Sequence, residues 1–357
     1  MLTQDRGGPV DLTVGLALEL AGRPGVEVAV VGPPPVTSAG DVGDLLHPCS
    51  VPSKADVRAM AGLGRALRAL RPDVVHAQDR RALLAVTVAR AGRPVVATFH
   101  GLPDAAAGAW LRAGPLAGRP VPPGAAAALA ADAALCRRAA ATVVPSASLA
   151  TFLRQRLKVP ARRVHVVPNG VAARVPVEPG PVRRLVSVGS FAPPKAVPVL
   201  VRAFAAVAAR HPGVTLDLVG DGDERAACQA LAAELGVADR IGFPGYRTDV
   251  AERLRAADAF VLPSVNENLP LALLEAMATG LPCVASAVGG VPEALGGAGL
   301  LVRPGDEGDL AAALDRLCAD PALAARLGRA AARRSARYTV DRCASAHLAV
   351  YRGVAGR

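Results

Sequence analysis

The stretch AFVLPSVNENLPLALLEAMATGLPCVASAVGG, residues 259–290, decides how the chain is read. Its two ends, "AFVLPS" (259–264) and "PCVASAVGG" (282–290), are near-continuous apolar strand candidates, and a helical segment lies between them near 270–279. A strand passed through a helix into a second apolar strand belongs to a parallel sheet covered on both faces. From Pro270 to Met277 the intervening helix is apolar on every side except at Glu275, and a second carboxylate, Glu267, stands just ahead of it. A helix apolar all round is buried on two faces, and an ionised carboxylate within it costs several kcal/mol unless it is paired or hydrogen-bonded. If the helix starts near Leu269–Leu271, Glu275 lies on its second turn, close to the positive end of the helix dipole. Pro270 suits the first helical turn, where a missing N–H costs nothing. The N–H groups of such a helix start suit phosphate, and an acceptor-only carboxylate one turn deeper suits a diol such as a nucleotide ribose. On this pattern alone a solvent-facing glutamate or a local salt bridge remains open.

The same alternation runs along the whole chain. In the first half, strand candidates fall at 26–32, 73–77, 94–101, 141–146 and 163–170, with helical segments at 10–21, 54–70 and 80–91. In the second half the strands fall at 184–190, 214–222, 240–245, 259–264, 282–290 and 299–302, and the helices near 196–210, 223–235, 248–256, 270–279 and 307–318. That is the doubly wound α/β pattern, twice over. Pro and Gly break any period across 169–184. The expected organisation is an N-terminal Rossmann-like domain over 1–175, a C-terminal one over 176–335, and a helix over 336–357 that packs back on the first domain. In open parallel sheets ligands sit beyond the carboxyl ends of the strands, so a site is expected in the loops there. Only six residues precede Gly7-Gly8, so the first strand is expected to be truncated.

A chain of 357 residues is long for one core, and 52% hydrophobic content supplies two, packed by Ala, Val and Leu because aromatics are only 3%. No run of about 18 apolar residues exists, which argues against a membrane span, and "MLTQDRGG" has no apolar core for a signal peptide. The six cysteines are scattered without metal-like spacing, which suits reduced thiols in a cytoplasm. The net charge of +11 is uneven: residues 1–176 hold 21 Lys+Arg against 11 Asp+Glu. A basic first half suits an anionic acceptor or the inner face of a membrane, although Arg-rich composition alone would give the same count. No aromatic-interleaved basic stripe supports nucleic acid.

The segment "PSVNENLPLALLEAMATGLPCVAS" (263–286) resembles the signature of retaining glycosyltransferase family 4 (glycosyl transferases group 1), P-S-x-x-E-x-x-P-x-x-x-x-E-A-M-A-x-G-x-P-V-V-A, with its two glutamates separated by seven residues. The resemblance implies the GT-B fold, two Rossmann-like doubly wound domains with a cleft between them. It implies that Glu267 lies at the sugar and phosphate end of a nucleotide-sugar donor, and that Glu275 binds the ribose hydroxyls. Asn268, Leu269 and Leu271 belong to the same donor-binding stretch. "SVGSFAPPKAVPVLVRAF" (187–204) is similar to the family's G-R-x-x-x-x-K-G stretch, in which Arg and Lys hold the diphosphate. Gly189 and Lys195 match, whereas Ser190 stands for the Arg and Ala196 for the second Gly. Losing that Arg removes charge-assisted bonds of roughly 1.5–3 kcal/mol each.

Gly7-Gly8 matches the pair whose backbone approaches the donor phosphates, "TFHGLP" (98–103) places His100 beside the sugar, and the loop at Tyr246-Arg247 falls where the family contacts the base. "VVHAQD" (74–79) resembles V-V-H-x-H with Gln78 for the second His, so His76, Gln78 and Asp79 are acceptor-side candidates. The D-x-D of Asp221 and Asp223 would bind a metal in another glycosyltransferase fold, but matches a family 4 turn, and no metal or resident cofactor is expected. The implied reaction moves a sugar from a UDP- or GDP-sugar to an acceptor hydroxyl with retention, using His100, Glu267 and Lys195. Two alternatives remain: a non-catalytic sugar-nucleotide-binding protein, favoured by Ser190 and Gln78, and an epimerase or hydrolase that consumes donor without an acceptor.

Overall fold

The computed structural model describes residues 7–36, 39–49, 57–89, 92–111, 114–178 and 180–356. The question of a strand ahead of Gly7 falls on residues 1–6, outside the described residues. The chain separates into two compact units. The first comprises 1–102, 122–170 and 339–357, and the second 103–121 and 171–338. The segment 103–121, which the sequence reading places in the N-terminal domain, thus belongs to the second unit. The unit boundaries at 170/171 and 338/339 also differ by a few residues from the expected 175/176 and 335/336.

In the second unit six parallel strands form one sheet: β7 (Arg184–Val188), β8 (Thr215–Val219), β9 (Ile241–Gly245), β10 (Ala259–Leu262), β11 (Cys283–Ser286) and β12 (Leu300–Val302). Their order is β12-β11-β10-β7-β8-β9, the strand order of the doubly wound dinucleotide-binding sheet. Strands β7, β10 and β11 are buried along most of their lengths, which is why they read as continuous apolar runs. The helix Val197–Arg210 packs Leu200, Phe204 and Val207 against Leu185, Leu216 and Leu218 of the sheet. Proline in a first turn and side-chain caps start several helices: Asp306 accepts from the Asp309 N–H at 2.9 Å and Asp320 from the Leu323 N–H at 2.8 Å.

In the first unit β3 (Val75–Ala77), β4 (Val95–Thr98), β5 (Ala141–Val144) and β6 (Val164–Val166) form a parallel sheet in that order. Strands β1 (Val30–Gly32) and β2 (Leu46–Pro48) pair separately. Strand β2 was not anticipated, because a three-residue segment "LHP" carries no alternation to read. The run 26–32 is strand only from Val30, since Pro24 and Gly25 turn the chain just before it. The C-terminal helix Val340–Ala355 packs on the helix Gly8–Ala21 through Ala344 against Leu16 and Leu20. Arg23 ties the same two helices together by a 2.8 Å ion pair to Asp341. All six cysteines are free thiols. Among the described residues no helix is long and apolar enough to cross a membrane.

Candidate functional site

In the second unit the strand order reverses between β7 and β10, and the loops leaving their carboxyl ends flank that switch point, where doubly wound sheets hold ligands. The loop after β7 carries Gly189 and Ser190 and turns through the short helix Pro193–Lys195. The loop after β10 carries Pro263 to Asn268. Backbone bonds join the two: the Val265 N–H donates to the Pro194 carbonyl at 2.8 Å. This brings Lys195 Nζ to 2.5 Å from Glu267 Oε1, and the buried Ser264 hydroxyl donates to the same oxygen at 2.9 Å. The Glu267 side chain is only 9% exposed and Lys195 29%, so the pair is largely withdrawn from water. A hollow beside them is lined by Gly189, Ser190, Phe191, Lys195, Pro263 and Ser264, and its lining contains no arginine that could stand in at Ser190.

Lys195 owes its position to an unusual turn. Ala196, which stands where the signature has glycine, is left-handed at φ 49°, ψ 39° and forms the N-cap of the helix Val197–Arg210. On the other side, the backbone of Gly289 runs against Glu267: a Cβ on Gly289 would overlap the Glu267 carbonyl oxygen and meet the Trp110 ring at 2.9 Å. The Asn268 carbonyl accepts from the Gly290 N–H at 2.7 Å, and Asn266 donates to Asp104 at 2.7 Å. Segment 103–121 therefore braces the Glu267 loop, a role no local pattern in "GLPDAAAGAW" announced.

The helix after Glu267 runs Leu271–Thr279, with Pro270 at the cap rather than in the first turn, and Gly280 ends it. Leu269 and Asn268 are buried, while Leu271 is half-buried. Glu275 is not sealed in: its side chain is 30% exposed and lies 3.5 Å from the Arg174 guanidinium. The expectation that this carboxylate is buried is corrected here, because a chain segment 101 residues earlier supplies a cation beside it. Arg174 also donates to Thr279 at 3.4 Å, the residue one turn on from Glu275.

Tyr246 is exposed at 56%. Arg247 is engaged with Asp249 through two bonds of 2.8 and 3.0 Å, which lowers the Asp249 carboxyl far below its usual range. Asp221 spends its carboxylate inside its own loop, accepting from the Gly222 N–H at 2.8 Å.

The remaining expected residues lie in the first unit. Gly7 has φ 97° and ψ 168°, a conformation open essentially to glycine only, while no atom crowds its would-be Cβ. Gly8 opens the helix Gly8–Ala21. His100 hydrogen-bonds to the Gln78 backbone, and burial lowers its pKa to about 4, so it is neutral near pH 7. His76 is the centre of a polar network: Nδ1 lies 2.6 Å from the Tyr351 hydroxyl and 3.3 Å from Gln78 Nε2, and Nε2 lies 2.7 Å from the Thr98 hydroxyl. With the Gln78 Nε2 group, a donor, and the Tyr351 hydroxyl both facing Nδ1, Nδ1 is the acceptor, bonded chiefly to the nearer Tyr351 hydroxyl, and the Nε2–H donates to Thr98. Burial, then the neighbouring His347, lowers the His76 pKa. Asp79 caps the helix Arg80–Val88 by accepting from the Ala82 N–H at 2.7 Å. Ser264, Arg174, Gly289, Asp104, Trp110, Tyr351 and His347 are thus the residues that sequence reasoning missed. Ser264 and Gly289 fall inside quoted motifs; the others act from far along the chain.

Two family models match. Glycosyltransferase Family 4 matches residues 6–174, and Glycosyl transferases group 1 matches residues 182–320. The chain is 40% identical over 176 residues to the D-inositol 3-phosphate glycosyltransferase of Streptomyces avermitilis, covering 46% of this chain and 38% of that protein. To the protein of the same name from Stackebrandtia nassauensis it is 43% identical over 176 residues, covering 46% and 40%. The chain thus spans about two fifths of the length of the curated relatives it matches. Among solved structures, the sucrose-phosphate synthase of Thermosynechococcus elongatus superposes with a TM-score of 0.77 at 25% identity, covering 97% of this chain and 93% of that one. Anabaena HepE in complex with UDP and glucose gives 0.78 at 20% identity, covering 99% and 97%, a likeness of fold.

Proposed function

Because the chain belongs to glycosyltransferase family 4 and has its GT-B fold, we propose that it transfers a glycosyl group, with retention, from a nucleotide-diphosphate sugar to an acceptor hydroxyl. The observation that carries this is the convergence of Lys195, Ser264 and Glu267 at the switch point of the second sheet, immediately ahead of the helix that presents Glu275. In the proposed step the bond from the anomeric carbon to the leaving phosphate oxygen breaks, while the acceptor oxygen bonds to that carbon on the same face. The acceptor proton passes to the departing diphosphate. Charge develops on the diphosphate, and preorganised cations and N–H dipoles aimed at such charge are the usual largest catalytic contribution. Lys195 supplies the ammonium, and the start of the helix Leu271–Thr279 supplies N–H groups and its dipole.

Glu267 holds Lys195 in place before donor binds and turns to the sugar hydroxyls when the ammonium engages phosphate. Glu275 accepts from the ribose diol, with Arg174 holding the carboxylate in register. His100, being neutral, serves the sugar as a hydrogen-bonding group rather than a cation, and the Gly7-Gly8 helix start offers backbone N–H groups to phosphate. Tyr246 offers a ring to the base; Arg247, tied to Asp249, has less to give. Uracil is the favoured base, since the HepE neighbour was crystallised with UDP and glucose. No resident metal or cofactor is assigned.

The bare Ser190 favours a second reading, a sugar-nucleotide-binding protein without turnover. Thermal unfolding with UDP, GDP and their sugars, on wild type and Glu275→Ala, tests the site. A shift of several degrees with one nucleotide, lost in the variant, supports the donor site. Acceptor-dependent release of the nucleotide then separates transferase from binding protein, and no shift with any nucleotide rejects both.

A further inference from the structure

A positively charged surface lies on the second unit and is not used by the proposed reaction. The helix Pro321–Ser335 buries Leu323, Ala324, Leu327, Gly328 and Ala331. At 100° per residue the opposite side carries Arg326, Arg329 and Arg333, and Arg337 follows on the same line past the helix end. All four are exposed, and residues 321–337 contain neither Asp nor Glu. Elsewhere in this unit Arg184 pairs with Asp258, Arg210 with Asp315, Arg247 with Asp249 and Arg303 with Asp306. The exposed Arg202, Arg255 and Arg316 have no ion pair among the described residues but lie on three separate helices, unlike the four arginines of the stripe. Among the described residues these four have no ion-pair partner.

The stripe also has a built hollow at one end, lined by Gly296, Gly297, Ala298, Arg333, Arg334 and Arg337. Its floor is fixed, because Arg334 donates to the Ala294 carbonyl at 2.6 Å and to the Glu293 carbonyl at 2.7 Å. Gly296, left-handed at φ 48°, leaves room for that guanidinium, which a Cβ would overlap. Like charges at helical spacing repel, and an anion from outside would relieve that repulsion. Guanidinium groups bind phosphate oxygens in a planar, two-pronged way.

We infer that Arg326, Arg329, Arg333 and Arg337 form a docking face for the phosphate headgroups of an anionic bilayer, with one headgroup seated in the hollow. A single free anion would fill the hollow and leave Arg326 and Arg329 unused. The residues between the arginines on the exposed side are mostly alanine, so the face is flat and has no aromatic on which a nucleic-acid base could stack. It also has no large apolar side chain to insert, so binding is electrostatic and weakens with salt.

Cosedimentation of the full chain with vesicles of phosphatidylcholine alone, or mixed with phosphatidylglycerol, tests this at low salt. Wild type should bind only the anionic vesicles. Arg333→Gln with Arg337→Gln should lower the partition coefficient about 30-fold, from about 1 kcal/mol per charge near an anionic surface and 1.4 kcal/mol per decade. Adding Arg326→Gln and Arg329→Gln should abolish binding. Arg65→Gln with Arg68→Gln, exposed on the helix Val57–Leu70 of the first unit, should leave it essentially unchanged, because those charges are not on the docking face. Three results overturn the inference: no binding by wild type, binding unchanged in the fourfold variant, or loss in the Arg65/Arg68 pair instead. So does full binding by Arg326→Gln with Arg329→Gln alone, together with loss in the Arg333/Arg337 pair and competition by inorganic phosphate, because that describes a phosphate site and not a surface. An unfolding temperature within a few degrees of wild type in every variant, measured without ligand, shows intact folding and leaves the donor-site reading to stand or fall separately.

Discussion

Around β7 and β10 the second unit sets opposite charges against each other, Lys195 with Glu267 and Arg174 with Glu275, each pair at least partly open to water. Around β3 and β4 the first unit gathers three histidines, His76, His100 and His347, all with pKa values lowered by burial. His76 and His347 stack with ring centres 5.4 Å apart, and Tyr351 packs on both. An ion pair can exchange one partner for a ligand's charge, because the ligand replaces the lost charge and the Ser264 hydroxyl still donates to Glu267. The buried neutral network of His76 with Tyr351 and Thr98 cannot, since breaking it strands polar groups away from water. The difference separates a surface poised for an anionic ligand from a surface that holds its shape, and it can be broken from either side.

The largest effect is expected at Lys195. Lys195→Ala removes the cation facing the departing diphosphate and should lower kcat about 100- to 1000-fold, the usual loss for one preorganised charge-stabilising group. A fall of less than tenfold, with unfolding temperature unchanged, would show that the ammonium serves only to neutralise Glu267. Next comes a gain. Ser190→Arg restores a guanidinium to a hollow whose lining has none, and one charge-assisted bond of roughly 1.5–3 kcal/mol predicts about 10- to 100-fold tighter nucleotide-diphosphate binding. Titration calorimetry with UDP would read it. Unchanged affinity would mean that the diphosphate does not pass Ser190.

The histidine network should respond to acid. The folded pKa values of His100 and His347 are about 4, and that of His76 is lowered well below its ordinary 6.5. The unfolded chain therefore binds protons that the folded one refuses. Stability should be full above about pH 6.5 and fall as pH drops from there toward 4. His347→Gln should flatten that fall in a pH series of unfolding temperatures, while Lys195→Ala should leave its slope alone. Equal slopes in wild type and His347→Gln would remove the contrast between the units.

What could be read in advance follows the reach of local pattern. The succession of strands and helices in the second unit, the loops at Gly189 and Glu267, and Lys195 all lie within contiguous motifs whose spacing carries the meaning, whereas the order of the strands across the sheet does not. The brace of Asp104 on Asn266 spans 162 residues and the bond of Tyr351 to His76 spans 275, and no periodicity or composition encodes such a pairing. Arg174 was passed over because it sits in a Pro- and Gly-broken stretch that reads as linker. Glu275 looked buried because its helix neighbours are apolar, but the helix turns that one position toward Arg174 and water.

The smallest effect concerns Ala196, and it sharpens the contrast at the level of the backbone. A left-handed non-glycine residue costs roughly 1–2 kcal/mol, which Ala196→Gly would relieve. Against that stand about 0.4–1 kcal/mol of added freedom in the unfolded chain and up to about 0.8 kcal/mol for the buried methyl, since Ala196 is only 8% exposed. The terms nearly cancel, so glycine should move the unfolding temperature by less than about 2 °C, which explains how alanine can hold a position where the signature has glycine. A β-branched side chain has no such balance. Ala196→Val adds bulk to a conformation it strongly disfavours, at about 1–3 kcal/mol, and should lower the unfolding temperature by roughly 4 °C or more. The turn must then choose between its own strain and the position of Lys195. If Ala196→Val weakens nucleotide binding while Ala196→Gly leaves it unchanged, the left-handed turn is what aims the ammonium. If both bind alike, Glu267 and Ser264 position Lys195 without help from the turn.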